Sequence, residues 1–229
     1  AIVEGLPRSA FYVKAVRGAL FDENDVYAGP RIDEERSYLG NPIPPHTASL
    51  RLTFDLFRNL TLYALFEASA GGTVFNYTRQ LQTRYVNNKL YNELATQLGL
   101  AAQNGIVPVP GIDELQPGTR EYEDAANLYA QYTPSSGYGL VYFEDSDHIR
   151  FRELSLRYDF STLLREVIGA ESVRQVTFTI AASNLWLWTK YSGPEVELSS
   201  PGVTSIARGQ DLFTLQHPRT IYGTLSIGF

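Results

Sequence analysis

The sequence predicts an all-β protein: part of an antiparallel, up-and-down transmembrane β-barrel, with a long and partly helical extracellular loop. Three observations support this fold class. Segments of alternating apolar and polar residues recur along the chain, and the connections between them are short and long in turn. No run approaches the ~18 apolar residues that a membrane-spanning helix needs. Strands are therefore the only means by which such a chain crosses a bilayer.

Three strands are predicted in the first third of the chain. Ala10 to Phe21 alternates in its first half, and the Asp-, Gly- and Pro-rich segment 22–45 predicts a long loop. Leu50 to Leu56 and Leu60 to Ser69 alternate on either side of Arg58-Asn59. This pattern predicts a hairpin with one apolar face.

A long insertion follows Gly71-Gly72. It runs for about seventy-five residues, and Arg84 to Ala102 and Thr119 to Tyr132 have helical patterns. The acidic turn Glu144-Asp145-Ser146-Asp147 closes it. Its tyrosines are expected either to stack on sugars or to pack the helices, and they are Tyr85, Tyr91, Tyr122, Tyr129, Tyr132, Tyr138 and Tyr142.

The remaining strands lie in the last third. Alternation predicts strands at Leu154 to Phe160 and from Val176 towards Trp188, and a short connection with one helical turn at Ser161 to Ser172. Tyr191 to Pro218 predicts a Gly-, Pro- and Ser-rich loop, and Arg219 to Phe229 predicts the final strand.

The final strand has the length that a membrane crossing requires. Eleven residues span ~36 Å, and a tilt of ~45° reduces the vertical span to ~26 Å. Ile221, Leu225, Ile227 and Phe229 share its apolar face. In water the same pattern describes a half-buried strand. We expect this strand to pair with Gln175 to Ser183.

The lengths of the loops favour a membrane-spanning barrel over a soluble protein with half-buried strands. Connections after the second and fourth strands are short, and those after the first, third and fifth are long. In a meander all the long loops then emerge on one side, as in outer-membrane barrels. Six strands are too few to close a barrel, which needs about eight, so further strands are expected before Ala1.

Aromatic residues near the predicted strand ends fit the two membrane interfaces. Tyr158 and Phe160 lie at the end of one strand, and Trp186 and Trp188 lie at the end of another. We therefore predict these four residues as membrane-interface aromatics.

Composition argues against several classes of protein. The net charge is −6 without a basic run, which argues against a nucleic-acid surface, and cysteine is absent. His46, His148 and His217 have no metal-ligand spacing, and no nucleotide-binding or nucleophile motif occurs. We expect no catalytic residue, cofactor or metal, and we expect that the protein is not an enzyme. Methionine is also absent, so the natural N-terminus is expected to lie elsewhere.

Four blocks in order resemble one family. They are Tyr38-Leu39-Gly40-Asn41-Pro42-Ile43-Pro44, the stretch from Ile149 to Tyr158, Asn184-Leu185-Trp186-Leu187-Trp188-Thr189-Lys190-Tyr191-Ser192-Gly193, and His217-Pro218-Arg219-Thr220 to Phe229. Together they resemble the SusC/RagA family of TonB-dependent outer-membrane transporters. The sequence departs from the family at Pro194-Glu195-Val196-Glu197, where members usually have Tyr-Asp-Pro-Glu.

The resemblance implies a fold, a function and a set of partners. Residues 1–229 would be the C-terminal portion of a 22-stranded barrel whose plug domain and earlier strands are absent here. The protein would import a glycan, an oligopeptide or a similar large nutrient across the cell outer membrane. Its partners would be a SusD-like surface lipoprotein, the TonB complex acting through the plug, outer-membrane lipid and the barrel assembly machinery. That machinery would read the closing strand, at Tyr222, Gly223, Leu225, Ile227 and Phe229. The substrate-binding residues stay unassigned.

Two alternatives stay open at this stage. One is a barrel that transports nothing and serves as an adhesin or anchor. The other is a soluble, secreted carbohydrate-binding β-sandwich. A plug encoded upstream favours the importer, whereas folding as a monomer without detergent favours the sandwich.

Overall fold

The structure is a computed structural model that describes residues 3–132, 138–169, 174–202 and 204–228. Chain contacts divide it into two units. The first, called the helical unit here, comprises Ala1–Ile43, Gly72–Asp145 and Tyr191–Thr214. The second, called the sheet unit, comprises Pro44–Gly71, Ser146–Lys190 and Leu215–Phe229.

Most of the regular structure is β-strand. In chain order the strands are β1 (Phe11–Val13), β2 (Ala15–Phe21), β3 (Tyr27–Ile32), β4 (Ser37–Gly40), β5 (His46–Phe57), β6 (Leu60–Ala70), β7 (Thr73–Asn76), β8 (Tyr138–Gly139), β9 (Phe143–Asp145), β10 (His148–Asp159), β11 (Gln175–Thr189), β12 (Gln210–Asp211) and β13 (Thr220–Gly228).

The α-helices of the described residues are α1 (Tyr77–Arg84), α2 (Lys89–Gln97), α3 (Arg120–Tyr132) and α4 (Ser161–Ile168). Short 3₁₀ turns occur at Ala102–Asn104 and Leu140–Tyr142. None of the helices in the described ranges has the length and apolar character needed to cross a membrane.

The sheet unit contains one five-stranded sheet, with strand order β13-β11-β10-β6-β5 and antiparallel pairing throughout. The predicted hairpin at Arg58-Asn59 is confirmed, since β5 and β6 pair directly around it. The predicted partner of the closing strand is also confirmed, because β13 pairs with Gln175–Ser183. The sheet keeps two edges, and no sheet of the described residues closes into a barrel. The structure therefore confirms the predicted predominance of β-strands. It does not show closure of the sheet into a barrel.

The register places apolar side chains of all five strands on one face of this sheet. Directly opposed residues point to the same side, and the pairs Phe54 with Leu62, Leu62 with Leu156, Leu156 with Ile180 and Phe178 with Leu225 connect the strands. We call this surface the apolar face. It comprises Leu50, Leu52, Phe54, Leu62, Ala64, Phe66, Ala68, Ile149, Phe151, Leu154, Leu156, Tyr158, Val176, Phe178, Ile180, Ala182, Trp186, Trp188, Ile221, Gly223, Leu225 and Ile227.

The opposite face is mainly polar. Thr53 pairs with Tyr63, Arg157 with both Thr61 and Thr179, and Thr177 with Ser226. Leu65, which interrupts the alternation of its strand in the sequence, pairs on this face with Arg51 and Glu153. The apolar and polar sides found in the separate strand sequences thus align across the whole sheet.

A bulge at Arg152 keeps the apolar face continuous. The register of β10 shifts between Phe151 and Glu153 against both neighbouring strands. Leu154 and Leu156 therefore share a face with Phe151, although they are an odd number of residues away from it. The Arg152 guanidinium bonds Glu67 across the strands, with 2.6 Å between Nε and Oε2. Opposite the bulge, Asn184 adopts the left-handed region, with φ of 54°.

The long connections lie at one end of the five-stranded sheet and the short connections at the other, as predicted. His46 pairs with Ala70, and His148 pairs with both Ser69 and Thr189, so the long connections start or finish at one end of the sheet. The other end has the short connections. One is the turn at residues 58–59, and the other contains α4, which at eight residues is longer than the single predicted turn.

The helical unit has its own hydrophobic core. Helix α3 packs against β2 and α2, and Val16, Ala95, Ala126 and Tyr129 are almost fully buried. The unit also contains three small sheets, with strand orders β1-β4, β12-β7-β9 and β3-β2-β8.

Two sequence predictions about the N-terminal segment are wrong. The predicted first strand, Ala10 to Phe21, is divided into β1 and β2 and belongs to sheets of the helical unit, so the large sheet has five strands and not six. Its alternation fails because Val16 and Ala19 are both buried and their segment packs on α3. The predicted loop 22–45 contains β3 and β4. Pro30 is tolerated in β3 because that strand lies at the edge of its sheet.

The predicted helices are confirmed in part. Thr119 to Tyr132 is confirmed as α3. The predicted helix at Arg84 to Ala102 begins earlier and is interrupted, giving α1 and α2. The break occurs because Val86 has a φ of 61° and Asn88 restarts the helix by accepting a hydrogen bond from the Tyr91 N–H at 3.2 Å.

Gly139→Ala should destabilise the helical unit. An added Cβ would lie 1.8 Å from the Gln131 carbonyl oxygen, a backbone atom of α3 that cannot rotate away. We expect a loss of about 1–3 kcal/mol in the free energy of unfolding, measured by denaturant titration. Gly228→Ala is the control, because its nearest neighbour would be at an ordinary 3.6 Å. Equal stability of the two variants would contradict the close approach.

Candidate functional site

The helical unit contains an aromatic cleft of about 410 Å³. Its lining includes Phe11, Tyr12, Phe75, Tyr77, Tyr138 and Phe143. Phe75 lies at the centre, with ring centroids 4.9 Å from Phe143, 5.6 Å from Tyr138 and 5.9 Å from Tyr77. Gln80 and Gln210 add amide groups to the lining. The cleft therefore presents ring faces and edges together with a few hydrogen-bonding groups.

The structure separates the tyrosines of the insertion into two groups. Tyr91, Tyr122, Tyr129, Tyr132 and Tyr142 are buried, and the Tyr91 and Tyr129 rings stack at 5.0 Å. For these five the packing alternative is confirmed. Tyr85 and Tyr138 are exposed, and of the two only Tyr138 lines the aromatic cleft.

A polar network holds the start of α1 beside the cleft. The Asn76 side chain caps the helix by accepting from the Arg79 N–H at 2.9 Å, and its amide donates to Glu144 Oε1 at 3.0 Å. Glu144 also accepts from the Ser192 N–H at 2.8 Å. The Arg79 guanidinium lies 3.5 Å from the same carboxylate. Glu144, the first residue of the acidic turn that closes the insertion, thus connects β9 with α1 and the segment that follows β11.

Asp211 fastens the 191–214 segment to the same helix. It is fully buried, and its Oδ2 accepts a 2.5 Å hydrogen bond from the Tyr191 hydroxyl. The Thr214 N–H donates to Oδ1 at 3.2 Å, and Thr78 Oγ1 lies 3.4 Å from the same oxygen. Burial of the phenol, together with the hydrogen bond to Asp211 and its charge, raises the pKa of Tyr191 far above the usual range. The Tyr191 phenol therefore keeps its proton and donates it to Asp211.

Two glycines allow this segment to approach closely. Gly209 has a φ of +83°, and a Cβ there would lie 2.2 Å from the Pro42 Cβ. A Cβ at Gly193 would lie 2.5 Å from the Tyr191 ring. The Tyr191-Ser192-Gly193 block of the sequence thus has local structural roles.

A second cleft of about 410 Å³ lies in the same unit and is polar. Its lining includes Asn76, Arg79, Gln82, Asn88 and Ser192. Asn76, Arg79, Asn88 and Ser192 bond neighbouring groups of the protein, and the side-chain amides of Gln82 and Asn87 add further hydrogen-bonding groups to the lining. The two clefts together offer contacts for ring surfaces and for polar chain groups.

The residues predicted as membrane-interface aromatics lie in pairs near the two ends of the large sheet. The rings of Tyr158 and Phe160 are 4.5 Å apart, and those of Trp186 and Trp188 are 6.1 Å apart. The structure does not bring these two pairs together. Their predicted role at the membrane interface stays a prediction.

The predicted assembly residues lie on the edge strand β13. Gly223, Leu225 and Ile227 belong to the apolar face, and Tyr222 lies on the opposite face beside Ala181. Phe229 lies outside the described residues. A role of this strand in barrel assembly stays a prediction.

The sequence reasoning did not identify the aromatic cleft or the Asn76 network. One local signal was present: Asn76 followed by Tyr77-Thr78-Arg79 has the form of a helix N-cap. The cleft had no comparable signal, because β1, β7, β8 and β9 contribute to its lining from distant parts of the sequence.

Comparison with known proteins identifies similar structures only. No protein-family model matches the chain, and no curated protein matches it. Two solved structures of the RagAB peptide importer are similar. The open-open state has a TM-score of 0.56 at 16% identity, covering 96% of this chain and 22% of the other. The closed-closed state has a TM-score of 0.58 at 15% identity, covering 98% and 24%.

A structure of the RagAB peptide transporter gives a TM-score of 0.57 at 14% identity, covering 96% of this chain and 23% of the other. The likeness is one of fold. The present chain spans less than a quarter of the length of these neighbours.

The helical unit should lose stability at alkaline pH. Burial raises the pKa of Tyr142 to about 12, whereas an exposed tyrosine titrates at pH ~10. The unfolded chain therefore releases this proton at lower pH than the folded chain. The resulting stabilisation is complete below pH ~10 and is lost as the pH rises to ~12. Denaturant titrations across this range should show the loss.

Tyr142→Phe is the matched variant, since it removes the ionisable group and the 3.0 Å hydrogen bond to the Tyr132 carbonyl. It should be less stable near neutral pH, and its stability should fall less between pH ~10 and ~12. An equal alkaline fall in both proteins would show that Tyr142 does not contribute to it.

Proposed function

We propose that the chain is part of an outer-membrane importer for a large nutrient, with oligopeptides as the favoured cargo. The observation that carries this proposal is the apolar face of the five-stranded sheet. Large side chains on it are exposed in β5, β10, β11 and β13, including Phe54, Ile149, Trp186 and Leu225. Soluble monomeric proteins rarely expose a continuous apolar surface of this extent. In a bilayer the same surface would contact lipid.

The strand dimensions support this reading. The twelve residues of β10 span ~40 Å, or ~28 Å vertically at a tilt of ~45°. This height is close to the ~25 Å apolar band of outer-membrane barrels. The two aromatic pairs would then lie at its two boundaries. Further strands pairing with β5 and β13 would close the barrel and remove both edges.

The cargo class and partners are inferred from two likenesses. The similar structures are those of the RagAB peptide importer and transporter, and the sequence resembles the SusC/RagA family. In this proposal the chain acts with a SusD-like surface lipoprotein and with the TonB complex, through a plug that this chain does not include. The barrel assembly machinery would recognise the closing strand. The protein would move its cargo without bond chemistry and would not be an enzyme.

The proposal gives the helical unit the role of cargo contact. Its segments leave the sheet from the end with long connections, which faces outward in outer-membrane barrels. The aromatic cleft would accept apolar side chains of a peptide, and the polar cleft would bind carbonyl or carboxylate groups.

A pair of adjacent cysteines tests the membrane reading. The chain contains no cysteine, so Leu156→Cys and Arg157→Cys each provide one labelling site, on opposite faces of β10. Protein carrying a polarity-sensitive dye should be compared in phosphatidylcholine vesicles. We expect the dye at position 156 to emit at shorter wavelength and to be quenched by lipid-borne nitroxide. The dye at position 157 should respond much less, because it would face the barrel interior.

Protein in buffer without vesicles provides the control, since neither dye then has access to lipid. Equal emission from the two positions in vesicles would contradict the lipid-facing assignment. It would instead favour the soluble sandwich.

Peptide uptake tests the cargo assignment. Tyr138→Ala removes an exposed ring from the aromatic cleft, and Tyr85→Ala removes an exposed ring of the same type outside it. In cells with the natural copy replaced, uptake of fluorescent oligopeptides containing aromatic residues should fall about two- to tenfold in the first variant. It should be unchanged in the second.

Surface amounts of both variants should be measured by antibody labelling, so that a loss of protein is not taken for a loss of uptake. Unchanged uptake by Tyr138→Ala at equal surface amount would exclude the cleft as a peptide contact. Absence of peptide uptake by the natural protein would exclude peptides as the cargo.

A further inference from the structure

A cationic and aromatic cluster lies at one end of the apolar face. The Arg219 guanidinium carbon lies 5.7 Å from the centre of the Trp186 ring. Trp186 stacks with Trp188 at 6.1 Å, and Lys190 is two residues further along the chain. We call these four residues the Trp-Arg cluster. It combines amphipathic rings with two positive charges at the sheet end with the long connections.

The backbone places Arg219 over the indole. Residues 183 and 220 pair, so Arg219 directly precedes the paired part of β13 and lies opposite the bulge residue Asn184. The Asn184 amide donates to the Pro218 carbonyl at 3.2 Å. This hydrogen bond holds the chain just before Arg219 against β11. The cation–π contact therefore has a fixed backbone on both sides.

Both cations are available to an external anion. Arg219 and Lys190 are exposed. Within the described residues neither of them forms an ion pair with a carboxylate. A guanidinium that lies over a ring uses its planar face for that contact. Its N–H groups project from the edge of the guanidinium plane, and two of them can still donate to one phosphate.

We propose that the Trp-Arg cluster binds the phosphate of an anionic lipid in the outer leaflet. The proposal rests on the proposed function, since it requires that the apolar face contact lipid. Tryptophans prefer the level of the headgroups, and long cationic side chains extend from apolar surroundings to that level. Lipid tails would cover the apolar face, and the phosphate would accept hydrogen bonds from Arg219 and attract Lys190. The cluster thus selects lipid by headgroup charge.

Brominated lipids test this selection. Both tryptophans of the chain lie in the cluster, so its fluorescence reports this site without interference from other tryptophans. The protein is reconstituted in phosphatidylcholine vesicles that contain either brominated phosphatidylcholine or brominated phosphatidic acid. We expect stronger quenching by the anionic lipid at equal mole fraction. Raising the salt concentration should reduce this preference because the charges are partly exposed to water.

Charge removal identifies the groups responsible. Arg219→Gln and Lys190→Gln should each reduce the preference for phosphatidic acid about fivefold, and the double variant should remove it. Arg58→Gln is the matched control, because Arg58 is an exposed cation in the turn at the opposite end of the sheet. It should retain the preference of the natural sequence. Strand content by circular dichroism verifies that each variant is folded.

Three results would overturn the proposal. One is equal quenching by the two brominated lipids. Another is an equal effect of Arg58→Gln and Arg219→Gln, and the third is displacement of the lipid by inorganic phosphate, which would indicate a site for the free anion. Any quenching by brominated phosphatidylcholine shows that the apolar face contacts lipid. The three results above therefore overturn the anionic-lipid site and leave the proposed function intact. Absence of quenching by either lipid would overturn both.

Discussion

The pairing register of the five-stranded sheet is the constraint on which the sheet unit and its apolar face depend. Side chains alternate between faces, so a shift of one residue in any strand would move its apolar side chains to the polar side. The bulge at Arg152 is the point where β10 corrects such a shift, and it does so against both neighbouring strands. The Arg152–Glu67 ion pair lies at this point, where the ladder is irregular.

The sheet was largely predictable because the alternation of apolar and polar residues within each strand shows which side chains share a face. Leu154, Leu156 and Tyr158 alternate with polar residues, and the short turn at Arg58-Asn59 fixes the register of the hairpin. The pairing of β13 with β11 followed from the same pattern. The bulge hid the contribution of Ile149 and Phe151, since their positions along the chain are out of phase with Leu154.

The helical unit was less predictable because its short strands obtain their stability from distant neighbours. β12 has two residues and pairs with β7, which is more than 130 positions earlier in the chain. Asp211 is buried there and accepts hydrogen bonds from a hydroxyl and a backbone amide. No local sequence pattern predicts these hydrogen-bond partners. The aromatic cleft depends on the same long-range pairing. The tyrosines show the ambiguity directly, since ring type alone does not distinguish Tyr129 in the core from Tyr138 at the cleft.

The helical unit has a hydrophobic core of its own, and this has a consequence for how the sequence can evolve. Val16, Ala126 and Tyr129 pack within the helical unit, whereas the large sheet derives its sidedness from its own strands. Substitutions that reshape the clefts therefore need not change the strand register, and the two parts can diverge at different rates.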